Sequence, residues 1–145
     1  MDLAEGALLI AAEEYPELRL GAYLDRIERL AGELREVVGD EISPAGVVER
    51  CNAFFFEAQR FRGNHADYYD PRNSYLNEVL DRRLGIPISL SVLYWAVAEP
   101  LGLSMAGVNL PAHFMLRRKR RVRNERIVTR VQYEGRQPDR RKPRL

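Results

Sequence analysis

Fifteen residues in the middle of the chain constrain its fold more than any other segment: Gly63-Asn64-His65-Ala66-Asp67-Tyr68-Tyr69-Asp70-Pro71-Arg72-Asn73-Ser74-Tyr75-Leu76-Asn77. They lie between two apolar helical patterns and run into Glu78-Val79-Leu80-Asp81-Arg82-Arg83-Leu84-Gly85-Ile86-Pro87-Ile88-Ser89-Leu90-Ser91. A connection this long, and this rich in Asn, Asp, Tyr, Pro and Gly, is costly to order unless its polar groups are used. Asp67, Asp70 and Asn73 recur every third residue, which suggests oxygen ligands for Ca²⁺ or Mg²⁺. The fuller acidic loop of a calcium site is missing, so no metal is expected. Asn64, Asp67, Tyr69, Asp70 and Asn73 are expected instead to tie the loop to helix ends through Asx-turns and caps. Tyr68 and Tyr69 should lay their rings over the core edge, and His65 should be exposed.

The rest of the chain reads as helices followed by strands. Leu3 to Glu14 is Ala-rich and acidic at its start, which suits a helix ended by Pro16. Tyr23, Ile27, Leu30, Leu34 and Val37 form a narrow amphipathic stripe that Gly39 stops. Ser43-Pro44 predicts an N-cap with proline at the first helical position. Val47, Val48, Cys51, Phe54, Phe55 and Ala58 then make a broad apolar face. Asn73 or Ser74 is expected to cap a fourth helix running through Leu84, with Gly85 just past its end. Pro87 opens a fifth helix, apolar over most of its circumference, with Leu90, Leu93, Tyr94, Val97 and Leu101 inward and Pro100 ending or kinking it. Met105 to Leu110 and His113 to Leu116 read as strands joined by a turn at Pro111-Ala112. Ile127 to Tyr133 is a weaker third candidate. The fold class is therefore α+β: N-terminal helices and a buried central helix packed on a small antiparallel sheet.

The loop, the Pro-Ile-Ser-Leu-Ser start of the fifth helix and Pro111-Ala112-His113-Phe114 together resemble the bacterial SirB-type transglutaminase-like family, an offshoot of the papain-like superfamily. The resemblance runs from about Glu5 to Arg117, is best over 43–117, and implies a truncated transglutaminase-like core. That fold implies a nucleophilic Cys at the N-terminus of a buried helix, where dipole and free N–H groups favour a thiolate. It further implies a His on an adjacent strand as base and an Asp on the next strand to orient it. Here the helix opening at Pro87 and the strand carrying His113 hold the first two places; the nucleophile's position falls on Pro87 or Ser89, with Ser89 and Ser91 the side chains available, and Ser89 and His113 are the candidate catalytic residues. No Cys lies near Pro87, and no Asp-Pro-Phe-like stretch follows His113. Ser89 is better read as a helix cap, and Cys51 as a small buried hydrophobe. The expected function is a non-catalytic regulatory or protein-interaction module with a degenerate site and an unknown protein partner. The alternative is a serine/histidine-dependent hydrolase or acyltransferase remnant. No cofactor is expected.

Charge separates the chain into two parts. Residues 1–116, the expected domain, hold 10 Arg against 18 Asp and Glu, a balance of −8. Residues 117–145 hold 13 Lys and Arg against 3 acids, a balance of +10. This basic tail admits a second alternative function, nucleic-acid binding by counterion release, although Tyr133 is its only aromatic residue. It also reads as a divergent, frameshift-derived end, because only Lys119 and Lys142 are lysine and out-of-frame GC-rich DNA encodes Arg and Pro. No apolar run reaches the ~18 residues of a membrane span. Leu8-Leu9-Ile10 follows acids rather than a basic leader, and the lone Cys51 suits a reducing compartment; a cytoplasmic protein is expected.

Overall fold

The structure, a computed structural model, describes residues 2–41, 43–102, 104–110, 113–119 and 128–129, the last three segments as backbone. Helix α1, Leu3–Glu14, opens on Asp2, whose side chain accepts from the Glu5 N–H at 2.7 Å. Helix α2, Leu20–Val38, buries Ile27, Ala31, Leu34 and Val38. The expected inward Val37 is 46% exposed, because a straight 3.6-residue helix carries the stripe from Leu34 to Val38. Gly39 ends the helix at φ +54°, and the Arg50 guanidinium donates to the Val38 carbonyl at 2.8 Å. A cation there satisfies an orphan carbonyl and complements the helix dipole.

Ser43 caps α3, Pro44–Asn52, by accepting from the Gly46 N–H. The helix then widens into a π-turn over Ala53–Ala58, closed by Gln59 N–H donating to the Phe54 carbonyl. The extra residue per turn lets neighbouring Phe54 and Phe55 both face the core and turns Ala58 out, against expectation. Phe55 stacks on Phe61 at 4.7 Å and meets Tyr94 edge-on at 5.2 Å.

The fourth helix departs most from the sequence reading. Asp70 caps a short 3₁₀ turn, Pro71–Ser74, by accepting from the Arg72 N–H. Helix α4 covers only Leu76–Arg82 and ends on Arg83 at φ +58°. Gly85 is therefore not a left-handed cap. Arg62–Gly63 (β1) and Leu84–Gly85 (β2) pair in parallel, bringing the start of the loop beside the start of the next helix. Gly85 is needed for close approach, since a Cβ there would lie 2.8 Å from Ser89 Oγ and 3.1 Å from Leu90 Cγ.

Helix α5, Pro87–Ala98, is the hub. It packs against α1, α2, α4 and the sheet and buries Leu90, Leu93, Tyr94, Val97 and Ala98. A 3₁₀ turn containing Pro100 follows. Strands β3 (Ser104–Leu110), β4 (His113–Lys119) and β5 (Val128–Thr129) form an antiparallel sheet in that order, with Leu110 opposite His113 and Leu116 opposite Thr129. The architecture is α+β, with the helical layer and sheet meeting at α5 and β4. The expected turn at Pro111-Ala112 and most of the basic tail lie outside the described residues. Among the described residues, no helix is long and apolar enough to cross a membrane.

Candidate functional site

The signature loop closes on itself through two buried asparagines. Asn64 and Asn73 are only 5% and 1% exposed. The Asn64 backbone N–H donates to the Gly85 carbonyl at 2.9 Å, extending the β1–β2 pairing. Its side-chain oxygen accepts from the Asp67 N–H, and its amide nitrogen donates to Asn73 Oδ1 at 3.0 Å. Asn73 Nδ2 donates to the carbonyls of Asp67 and Tyr68 at 2.9 and 3.0 Å. Both amides thus replace water inside the loop, as buried polar groups require.

This junction reaches Ser89. The hydroxyl donates to the Asn73 carbonyl at 2.6 Å and accepts from the Ile86 N–H at 3.0 Å. Ser89 is 6% exposed and stands at the third position of α5, where it satisfies an N–H ahead of the first turn. Its one proton is committed to a backbone carbonyl. Ser91 likewise donates to the Pro87 carbonyl at 2.6 Å.

Asp70 lies at the loop's far corner. Arg72 donates to it from its guanidinium, at 2.7 Å from Nη2, and from its backbone N–H; Arg82 approaches at 3.4 Å. These bonds, the Arg72 side chain first, hold the carboxyl down from 3.8 to about 2. Tyr68 and Tyr69 meet edge-on, but Tyr69 is 61% exposed and lies off the core edge. His65 is exposed.

His113 opens β4, and β4 packs against α5, so the two elements carrying Ser89 and His113 are neighbours. The His113 side chain lies outside the described residues. Cys51 is 2% exposed, in the core. Burial first, then Cys51 nearby, raises the Tyr94 phenol well above its ordinary range, and its hydroxyl donates to Asn52 Oδ1.

A groove at Tyr15, Tyr23, Asn77, Glu78 and Asp81 was not anticipated. Its signal was present in the sequence: Tyr23 and Arg26 on one helix, Glu78 and Asp81 on another, each pair three apart. The Tyr23 hydroxyl and the Arg26 guanidinium both donate to the Asp81 carboxylate.

The UPF0162 protein of Xylella fastidiosa (strain Temecula1) is 43% identical over 121 residues, covering 81% of this chain and 42% of that protein. The UPF0162 protein of Vibrio cholerae is 32% identical over 116 residues, 80% of this chain and 43% of its own. F-box only protein 21 of Mus musculus is 42% identical over 87 residues, 60% of this chain and 14% of that protein. The chain thus spans about two fifths of the length of these UPF0162 relatives. No solved structure matches. A family profile matches residues 21–137, across the boundary expected at 117, and by it the chain belongs to the transglutaminase-like superfamily.

Proposed function

We propose that the chain is a non-catalytic protein-interaction or regulatory module built on a degenerate transglutaminase-like site, of the SirB-type branch and working in the cytoplasm. The observation that carries this reading is the Ser89 hydroxyl, buried and donating its proton to the Asn73 carbonyl at 2.6 Å. A nucleophilic serine must instead donate to a base, which takes that proton as the oxygen attacks. Thiol chemistry has no carrier at the start of α5, and Cys51 is enclosed on another helix. The recurrence of the matched stretch within UPF0162 proteins and as 14% of a mammalian F-box only protein also suits a module that travels between host chains.

A serine/histidine-dependent hydrolase or acyltransferase is the second reading, favoured by the packing of β4 on α5. It requires the Ser89 hydroxyl to leave Asn73 and meet His113. Broad hydrolase screening of the parent beside Ser89→Ala and His113→Ala separates the two readings. We expect no turnover in any of the three; turnover that disappears in both variants would establish the enzyme instead.

A further inference from the structure

A second groove opens where the first turn of α1, the middle of α2 and the end of α5 meet, and it encloses about 320 Å³. It shares no lining residue with the Asn64–Asn73–Ser89 junction, so its use does not depend on how Ser89 acts. Leu3, Leu24 and Ile27 give it an apolar surface, of which Leu3 is 44% exposed. Every charged residue that lines it is acidic: Asp2, Glu28 and Glu99. Asp2 is occupied in capping α1. Glu28 and Glu99 are exposed, and their carboxylates have no ion pair or hydrogen bond among the described residues. The end of α5 adds the negative pole of its dipole beside Glu99, and the Arg35 guanidinium already uses that end by donating to the Pro100 carbonyl at 3.3 Å. An apolar groove rimmed by acids alone suits a segment that is basic and also carries apolar side chains.

We propose that the chain's own residues 130–145 dock in this groove, Arg140, Arg141 and Lys142 against Glu28 and Glu99, and Pro143 and Leu145 against Leu3 and Leu24. That segment lies outside the described residues, but its sequence answers the groove in both respects. It holds 6 Lys and Arg against 2 acids, a balance of +4, on a chain whose residues 1–116 balance at −8. The point from which it departs is also close. Strand β5 ends at Thr129 beside β4, β4 packs on α5, and the last turn of α5 forms one wall of the groove. From Thr129 to Arg140 the extended chain reaches about 36 Å. That is twice the ~18 Å length of α5, so the tether spans the distance around the helix. Exposed ion pairs are individually weak, but a tethered segment meets its site at an effective concentration in the millimolar range. A separate partner has no such advantage.

The test is NMR of the full chain carrying a nitroxide at Gln137→Cys, the buried Cys51 being left unlabelled. The label should broaden the methyl signals of Leu3, Leu24 and Ile27, and less so as salt rises and screens the pairs. Glu28→Lys with Glu99→Lys should remove most of that broadening. Both positions are exposed, so the fold should survive the change. Adding Arg140→Glu, Arg141→Glu and Lys142→Glu to the same chain should restore the broadening, since the charges are then exchanged across the contact. Three results would each overturn the proposal: no broadening in the parent, broadening that survives the reversal at Glu28 and Glu99, or a charge exchange that restores nothing. Broadening of an unlabelled, isotope-enriched chain by a labelled neighbour would overturn the intramolecular contact in favour of a second copy. A label that leaves the groove signals untouched and is immobilised by a duplex oligonucleotide would overturn it in favour of a nucleic-acid-binding arm.

Discussion

At the scale of single residues, Asn73 does what neither a larger apolar side chain nor a charged one can. Its amide satisfies two loop carbonyls and the Asn64 amide at once, and its backbone carbonyl takes the Ser89 proton. Asn73→Ala would leave the buried Asn64 amide and two part-buried loop carbonyls without their partner and open a small void. The expected loss of stability is about 2–4 kcal/mol by urea denaturation, well beyond a surface substitution. A loss below about 1 kcal/mol would show that the loop is held by other means. Asp70 acts through charge. Its carboxyl titrates at about 2 in the folded chain against 3.8 ordinarily. A group depressed in this way stabilises the fold above the unfolded pKa and loses that contribution as pH falls through the folded one. The stability deficit of Asp70→Asn should therefore be constant above about pH 5 and vanish towards about pH 2. Urea midpoints across pH, with the Asp70 carboxyl followed by NMR, check both the window and the midpoint.

At the scale of elements, the close approach of β2 to α5 explains why glycine stands at position 85. Gly85→Ala would drive a methyl group into Ser89 Oγ and Leu90, both buried, so that one of them must shift. It should cost about 1–3 kcal/mol and shift the amide signals of Ile86 and Ser89, as overpacking does. A neutral outcome would mean that the first turn of α5 yields more easily than its hydrogen bonds suggest. The same region shows where sequence reasoning reaches and where it stops. Caps at Ser43, the stop at Gly39 and proline at the start of α5 were legible because each acts on residues a few positions away. Asn64 and Asn73 stood out in the sequence as loop ties, but their mutual bond did not, because it depends on how the loop folds back. The parallel pairing of β1 with β2 joins segments twenty-two residues apart through two residues each, too few for any periodicity to register. Arg83 was hidden for another reason. A non-glycine residue at φ +58° is unfavourable by itself, and here its guanidinium donates to the Gln59 carbonyl and side chain and lies over Phe61. The π-turn at Ala53–Ala58 left only a crowding of phenylalanines as its trace.

At the scale of the whole molecule, α5 is held on several sides, and the sole cysteine reports on whether that packing is intact. Cys51 lies within the cluster formed by α2, α3 and α5 beside Tyr94, Phe54 and Phe55. A thiol enclosed in this way reacts only when the cluster opens, so its rate of modification follows the stability of the core rather than any local thiolate character. For a domain of ordinary stability, the open fraction is below about one in a thousand. Modification of Cys51 by a soluble disulfide reagent should therefore be at least about a thousandfold slower in native buffer than in urea. Tyr94→Ala, which removes the ring packed on Phe55 and Phe56, should speed it about tenfold for each ~1.4 kcal/mol of stability lost. Rapid reaction of the native protein would place Cys51 at an accessible surface. It would reopen the possibility of thiol chemistry at a position the start of α5 does not supply.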